Sequence, residues 1–173
     1  MLTTLGAYEA LHCAITGLVN PGDEVVIIEP HYDCYVPMTT ACGGVPVFIP
    51  LIRHDIEGKT EWRLDVDELE SKFNEKTKLI IINTPQNPLG KVSMFNLMKI
   101  LVIYSLDLQV YSEEELRRIS DLCVKYNVIV VSDEVYEWIT YDNSKHFRIG
   151  EGLPHITQFS LQLPVLSLHS RYV

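Results

Sequence analysis

The chain has 173 residues, enough for one ordinary domain with a real core and too few for two of normal size. Hydrophobic residues make up 47% and charged residues 21%, a globular balance that excludes a disordered or collagen-like chain. Fourteen Lys and Arg against 23 Asp and Glu leave a net charge of -9, which argues against nucleic acid or an anionic membrane surface as the main partner.

Taken in chain order, short apolar runs alternate with helical patterns, the signature of parallel βαβ units. The turn Asn20-Pro21-Gly22-Asp23 precedes a strand over 24–28, where Val25, Val26, Ile27 and Ile28 are apolar in succession. A helix is expected from Tyr32, ended by Gly43-Gly44. Strands follow over 45–50, 79–83 and 128–132, and the unbroken apolar text of 79–82 and 128–131 fits strands buried on both faces. Asp65 with Glu68, and Ser112 with Glu115, have the spacing of capping boxes, each flanked by a hydrophobic staple. From Ser112, residues Leu116, Ile119, Leu122, Cys123 and Tyr126 keep helical spacing and belong to the core. The prediction is an α/β fold with a doubly wound, mainly parallel sheet flanked by helices.

Cys13, Cys34, Cys42 and Cys123 form no CxxC pair and no zinc-finger pattern, so no metal site is expected and the thiols read as reduced. The N-terminal residues lack secretory and transit patterns. The longest nearly apolar stretch, 94–106, carries Asn96 and Lys99 and is shorter than the ~20 residues of a membrane helix. A cytoplasmic protein with no membrane span is expected. His12, His54, His146, His155 and His169 show no ligand spacing and read as surface or satisfied histidines.

Ligands of open α/β sheets bind beyond the carboxyl ends of strands, and two strands end in unusual polar text. The first continues into Asn83-Thr84-Pro85-Gln86-Asn87-Pro88-Leu89-Gly90-Lys91, the second into Ser132-Asp133-Glu134-Val135-Tyr136-Glu137-Trp138. Read singly, Asp133 is a cap or ion-pair partner, Asn87 a turn former, and Tyr32 and Tyr136 packing aromatics. Read together, Asn-x-x-x-Asn-Pro-x-Gly followed by Asp-x-x-Tyr resembles the fold-type I pyridoxal phosphate enzymes, specifically the class I and II aminotransferases. Gly6-Ala7-Tyr8-Glu9-Ala10-Leu11, Pro21-Gly22-Asp23-Glu24-Val25, Glu29-Pro30-His31-Tyr32-Asp33-Cys34-Tyr35 and Pro46-Val47-Phe48-Ile49-Pro50-Leu51 extend the resemblance in the family's order. Residues 32–38 and 132–138 look most like kynurenine aminotransferases, which also act as glutamine transaminase K and cysteine-conjugate β-lyase.

The resemblance implies part of the large domain of such an enzyme, over 1–155, with 156–173 an unrelated tail. It implies a cofactor set of Gly6, Ala7, Tyr8, Tyr32, Asn83, Asn87, Asp133 and Tyr136. Asp133 would pair with the protonated pyridine nitrogen of pyridoxal phosphate. Tyr136 and Asn87 would donate to the phenolic oxygen, and Tyr32 would stack on the ring. Gly6 and Ala7, ahead of a helix starting near Tyr8, would offer N–H groups to the phosphate. Asn87 would also touch the substrate carboxylate. Amino acids and 2-oxo acids are the implied substrates, a homodimer the implied assembly, and the cytoplasm the compartment, with the mitochondrion the alternative for a full-length parent. His31 and Glu9 stand where the family usually carries an aromatic and a small residue.

The family's Schiff-base lysine has no counterpart: Lys145 is the only lysine after Asp133, next to Ser144 and too early. The substrate-binding arginine of the C-terminal small domain is also missing. By itself the chain is expected to be inactive as a transaminase. Residues 92–109 interrupt the family's pattern, begin Val92-Ser93-Met94 and end at Gln109, text that splice-site codons can encode. They read as an unspliced short intron, with a genuine surface insertion as the alternative. A β-lyase or aminocyclopropane-carboxylate-synthase-like reaction, or a non-catalytic module binding a phosphate ligand or a partner, are the other functional readings.

Overall fold

The computed structural model describes residues 4–56, 59–89, 111–139, 146–149 and 158–161. Residues 92–109 and most of the 156–173 tail therefore lie outside the described residues. The elements run α1 (Gly6–Leu18), β1 (Glu24–Glu29), α2 (Tyr35–Ala41), β2 (Val45–Ile56), β3 (Lys59–Leu64), α3 (Val66–Lys72), β4 (Thr77–Asn83), α4 (Glu113–Tyr126), β5 (Ile129–Asp133) and β6 (Gln158–Leu161).

The six strands form one sheet in the order β3-β2-β1-β4-β5-β6. Pairing is parallel from β2 through β6, and antiparallel between β2 and β3. The apolar runs become the central strands because each residue has a helix layer to meet on either face. Side chains alternate across a strand, so Val26, Ile28, Ile80, Ile82 and Val130 enter one core with Leu69 of α3 and Leu116, Ile119 and Cys123 of α4. Val25, Ile27, Leu79, Ile81 and Val131 enter the other, with Leu11 and Ile15 of α1 and Tyr35 and Met38 of α2. Burying each such aliphatic side chain contributes about 1.5–3 kcal/mol. The doubly wound expectation holds.

Both helix starts predicted from capping residues form. Asp65 accepts from the N–H groups of Asp67 and Glu68, and at Ser112 both halves of the box with Glu115 are made. Helix α4 ends at Asn127 in the left-handed region, φ 56°, where a short polar side chain is tolerated. Several boundaries differ from expectation, three of them with consequences for the sheet and its flanks. Helix α2 starts at Tyr35, three residues after Tyr32, with Pro37 in its first turn where a missing N–H costs nothing. Strand β2 runs on past Pro50 to Ile56, because its second half leaves β1 to pair with β3. Strand β6 adds residues beyond 155 to the sheet, beside β5. Between α2 and β2, Gly43 has φ +81° and Gly44 passes so close to α1 that a Cβ would lie 2.8 Å from Val19 Cγ1.

Candidate functional site

Strand parity decides which polar residues meet. On β4 and β5 the odd-numbered residues Leu79, Ile81 and Val131 face α1 and α2, and the alternation carries Asn83 and Asp133 to that side at the strands' carboxyl ends. Ser132 and Glu134 fall on the opposite side. Neighbouring residues thus serve different networks.

Asp133 is 4% exposed. Its Oδ2 accepts from the hydroxyl of Tyr35 at 2.6 Å and its Oδ1 from the N–H of Val135 at 3.3 Å. Among the described residues no cation pairs with it. Burial pushes its carboxyl above the ordinary Asp value, while the Tyr35 and Val135 hydrogen bonds act the other way and the Glu134 charge adds to the rise. A desolvated carboxylate with two neutral donors and no counter-charge among the described residues fits a protonated heterocyclic nitrogen, the group the sequence resemblance assigns to it.

Asn83 is the β4 residue registered opposite Asp133. Its amide nitrogen donates to the Asp133 carbonyl at 3.0 Å, and its Oδ1 accepts from the N–H of Asn87 at 2.7 Å. Both ends of the amide thus brace the loop that follows β4. The amide of Gln86 donates to the Pro30 carbonyl at 2.9 Å, tying that loop to the one after β1. Asn87 is left half-buried on the braced loop.

Tyr32 is half-buried, meets the Tyr35 ring edge-on at 5.8 Å, and has a hydroxyl held above its usual pKa by Cys34 first, then by burial, Asp33, Tyr8 and Tyr136. Burial, then Asp133 and Asp33, push the adjacent Cys34 thiol up to about 12, which keeps it protonated. His31 stacks on Phe48 at 5.8 Å.

The phosphate end departs from expectation. Helix α1 begins at Gly6, not near Tyr8. The Gly6 N–H is directed back to the Thr4 carbonyl at 2.9 Å, with φ +80°, so it is not offered to an anion. Ala7 and Tyr8 lie in the first turn, whose amides have no intrahelical acceptor. The Glu9 carboxylate accepts the Leu5 N–H at the same helix end.

On the far side of β5, Glu134 is fully buried and accepts from Ser132 at 2.8 Å. Glu134, Glu137 and His146 bring one ligand atom each within 4.8 Å of the others, but Arg148 bonds Glu137 at 2.7 Å and stands 3.6 Å from Glu134, supplying the counter-charge. His146 is a correction: its side chain is 8% exposed, neither ring nitrogen has a hydrogen bond among the described residues, and Nε2 lies 3.7 Å from Glu134 Oε2. His12 and His54 are exposed as expected, and His155 and His169 lie outside the described residues. Sequence reasoning gave no role to Tyr35, Gln86 or Glu134. The Tyr35 signal was available only as one more aromatic in a motif.

Comparison with known proteins fits this geometry. The sequence profile of the family described as aminotransferase class I and II matches residues 1–103 and 109–161, past the boundary expected at 155. Human kynurenine–oxoglutarate transaminase 3 is 48% identical over 154 residues, covering 87% of this chain and 30% of that protein. Human kynurenine–oxoglutarate transaminase 1 is 39% identical over 168 residues, covering 94% and 35%. The N-succinyldiaminopimelate aminotransferase of Mycobacterium tuberculosis superposes with a TM-score of 0.74 at 33% identity, over 92% of this chain and 35% of that one. The aromatic aminotransferase of Pyrococcus horikoshii gives 0.73 at 31%, over 91% and 36%. The chain spans about a third of the length of the curated relatives it matches.

Proposed function

We propose that this chain, which belongs to the class I and II aminotransferase family, contributes the ring-holding side of a pyridoxal phosphate site in a parent enzyme. That parent moves an amino group from kynurenine, or a glutamine-like or aromatic amino acid, to a 2-oxo acid. The observation that carries the reading is the buried carboxylate of Asp133 at the end of β5, which meets no cation among the described residues.

When bound, pyridoxal phosphate supplies an electron sink for the bond broken at the substrate's α-carbon. Asp133 would hold the positive charge on the ring nitrogen. Tyr32 would cover a ring face, and Tyr136 and Asn87 would donate to its phenolic oxygen, Asn87 also orienting the substrate carboxylate. Ala7 and Tyr8, at the N-terminus of α1, would meet the phosphate. Proton transfer at the α-carbon is assigned to no residue of this chain. The parent is proposed to be a cytoplasmic homodimer. The names of the relatives favour amino transfer over the β-lyase and synthase-like alternatives and over a non-catalytic module.

Pyridoxamine phosphate tests the reading, because it needs no lysine to bind. Calorimetric titration of the whole chain is expected to give a single site. Asp133→Asn should weaken it by roughly 10- to 100-fold, the cost of removing the charged partner of a hydrogen bond. Equal affinity in the two proteins would overturn the assignment.

A further inference from the structure

We propose that Tyr35 is a positioning residue for the cofactor: its hydroxyl fixes the Asp133 carboxylate and helps to hold it anionic, so that the ring nitrogen meets a charge and not a neutral acid. The inference rests on the functional reading above and deepens it.

The geometry is specific. Tyr35 is the first residue of α2, 2% exposed, and its hydroxyl reaches across the layer between helix and sheet to Oδ2 of Asp133 at 2.6 Å, from a position 98 residues away in the chain. At that length an O–H donor to a carboxylate is a charge-assisted bond, roughly twice as strong as a neutral one. Two aromatic rings flank the Tyr35 ring. Tyr32 lies edge-on to it at 5.8 Å, and the His31 ring, stacked on Phe48, stands 6.3 Å away. Burial and the Asp133 charge both push the Tyr35 hydroxyl far above its usual pKa. It therefore keeps its proton, never yields it to Asp133, and remains the donor. Burial alone favours the protonated acid at Asp133, and the Tyr35 bond opposes it most strongly, helped by the Val135 N–H. Without that hydroxyl, the same carboxylate would retain its desolvation and its Glu134 neighbour and would bind a proton more readily.

A change in packing weakens every ligand alike, whereas loss of a held charge weakens only ligands that carry the ring nitrogen. The experiment is titration of the whole chain with pyridoxamine phosphate and with its deaza analogue, in which carbon replaces that nitrogen. Wild type is expected to prefer the nitrogen-bearing ligand at least tenfold. Tyr35→Phe should lower that ratio several-fold, while Met38→Leu, a packing change on the same helix face, should leave it unchanged. A fluorinated tyrosine at position 35 keeps the shape and donates more strongly, so it should raise the ratio. It decides the question alone if Tyr35→Phe does not fold. A preserved ratio in the Tyr35 variants, with wild-type preference intact, overturns the role of Tyr35. Equal binding of both ligands by wild type, or binding of neither, instead overturns the reading of Asp133 and this inference with it.

Discussion

Asn83 and Asp133, fifty residues apart, are joined at the ends of adjacent strands: they are partners in the β4–β5 register, and the Asn83 amide nitrogen donates to the Asp133 carbonyl at 3.0 Å. The same carbonyl accepts the Thr84 N–H at 3.0 Å, and Asn83 Oδ1 holds the Asn87 N–H. One side chain therefore ties the loop that displays Asn87 to the strand that displays Asp133. Asn83→Ala removes one buried and one part-buried hydrogen bond and should cost about 2–3 kcal/mol of stability, read by denaturant unfolding. Pyridoxamine phosphate affinity should fall with it, and unchanged affinity would mean that the loop keeps its shape without the brace.

Asp133 sets stability against function. Because burial raises its pKa, the folded chain holds more protons than the unfolded chain between the ordinary Asp value and the raised one, so stability falls as pH rises through that interval. The penalty is fully present above the folded pKa and absent below the unfolded one. Asp133→Asn should therefore melt higher than wild type at neutral pH in the ligand-free state, with a smaller difference in acid. The same substitution should reduce the melting-temperature gain that pyridoxamine phosphate gives to wild type. Thermal melts across that pH range with and without ligand measure both effects.

Glu9 is placed against the proposed phosphate. Its carboxylate takes the Leu5 N–H at the start of α1, the end of the helix that favours an anion. Glu9→Gln removes a negative charge without removing an acceptor, and is expected to raise pyridoxamine phosphate affinity about 2- to 5-fold at low salt. The gain should shrink as salt is added. A gain insensitive to salt would assign the effect to something other than charge.

The capping box at Ser112 predicts a local stability effect. Ser112→Ala loses the bond to the Glu115 N–H and should cost about 1 kcal/mol, measured by urea unfolding, with ligand affinity unaffected because α4 packs on the face away from Asp133.

What the sequence disclosed follows from the range of each interaction. The central strands were legible because Val25 to Ile28 and Leu79 to Ile82 are buried on both faces and so are apolar without interruption. The helix starts were legible because Asp65 and Ser112 bond residues two or three positions away. Strand β3 was not, since Lys59 to Leu64 mixes charge with apolar residues at the sheet edge and gains its place only by pairing with the far half of β2. The hydrogen bond from Tyr35 to Asp133 leaves no periodic trace, as a buried tyrosine in a helix has the same pattern whether or not its hydroxyl serves a site. His146 was misjudged for the same reason: its burial comes from where the segment 146–149 packs, with Ile149 fully buried in the α3 and α4 core.

The central claim, that Asp133 meets a protonated ring nitrogen, is tested most directly by nitrogen NMR of pyridoxamine phosphate labelled at that atom and bound to the whole chain. The account predicts a pyridinium signal that persists to higher pH than in the free ligand, and that reverts toward the unprotonated position in Asp133→Asn. A bound ligand whose ring nitrogen loses its proton at the same pH as in free solution would contradict it.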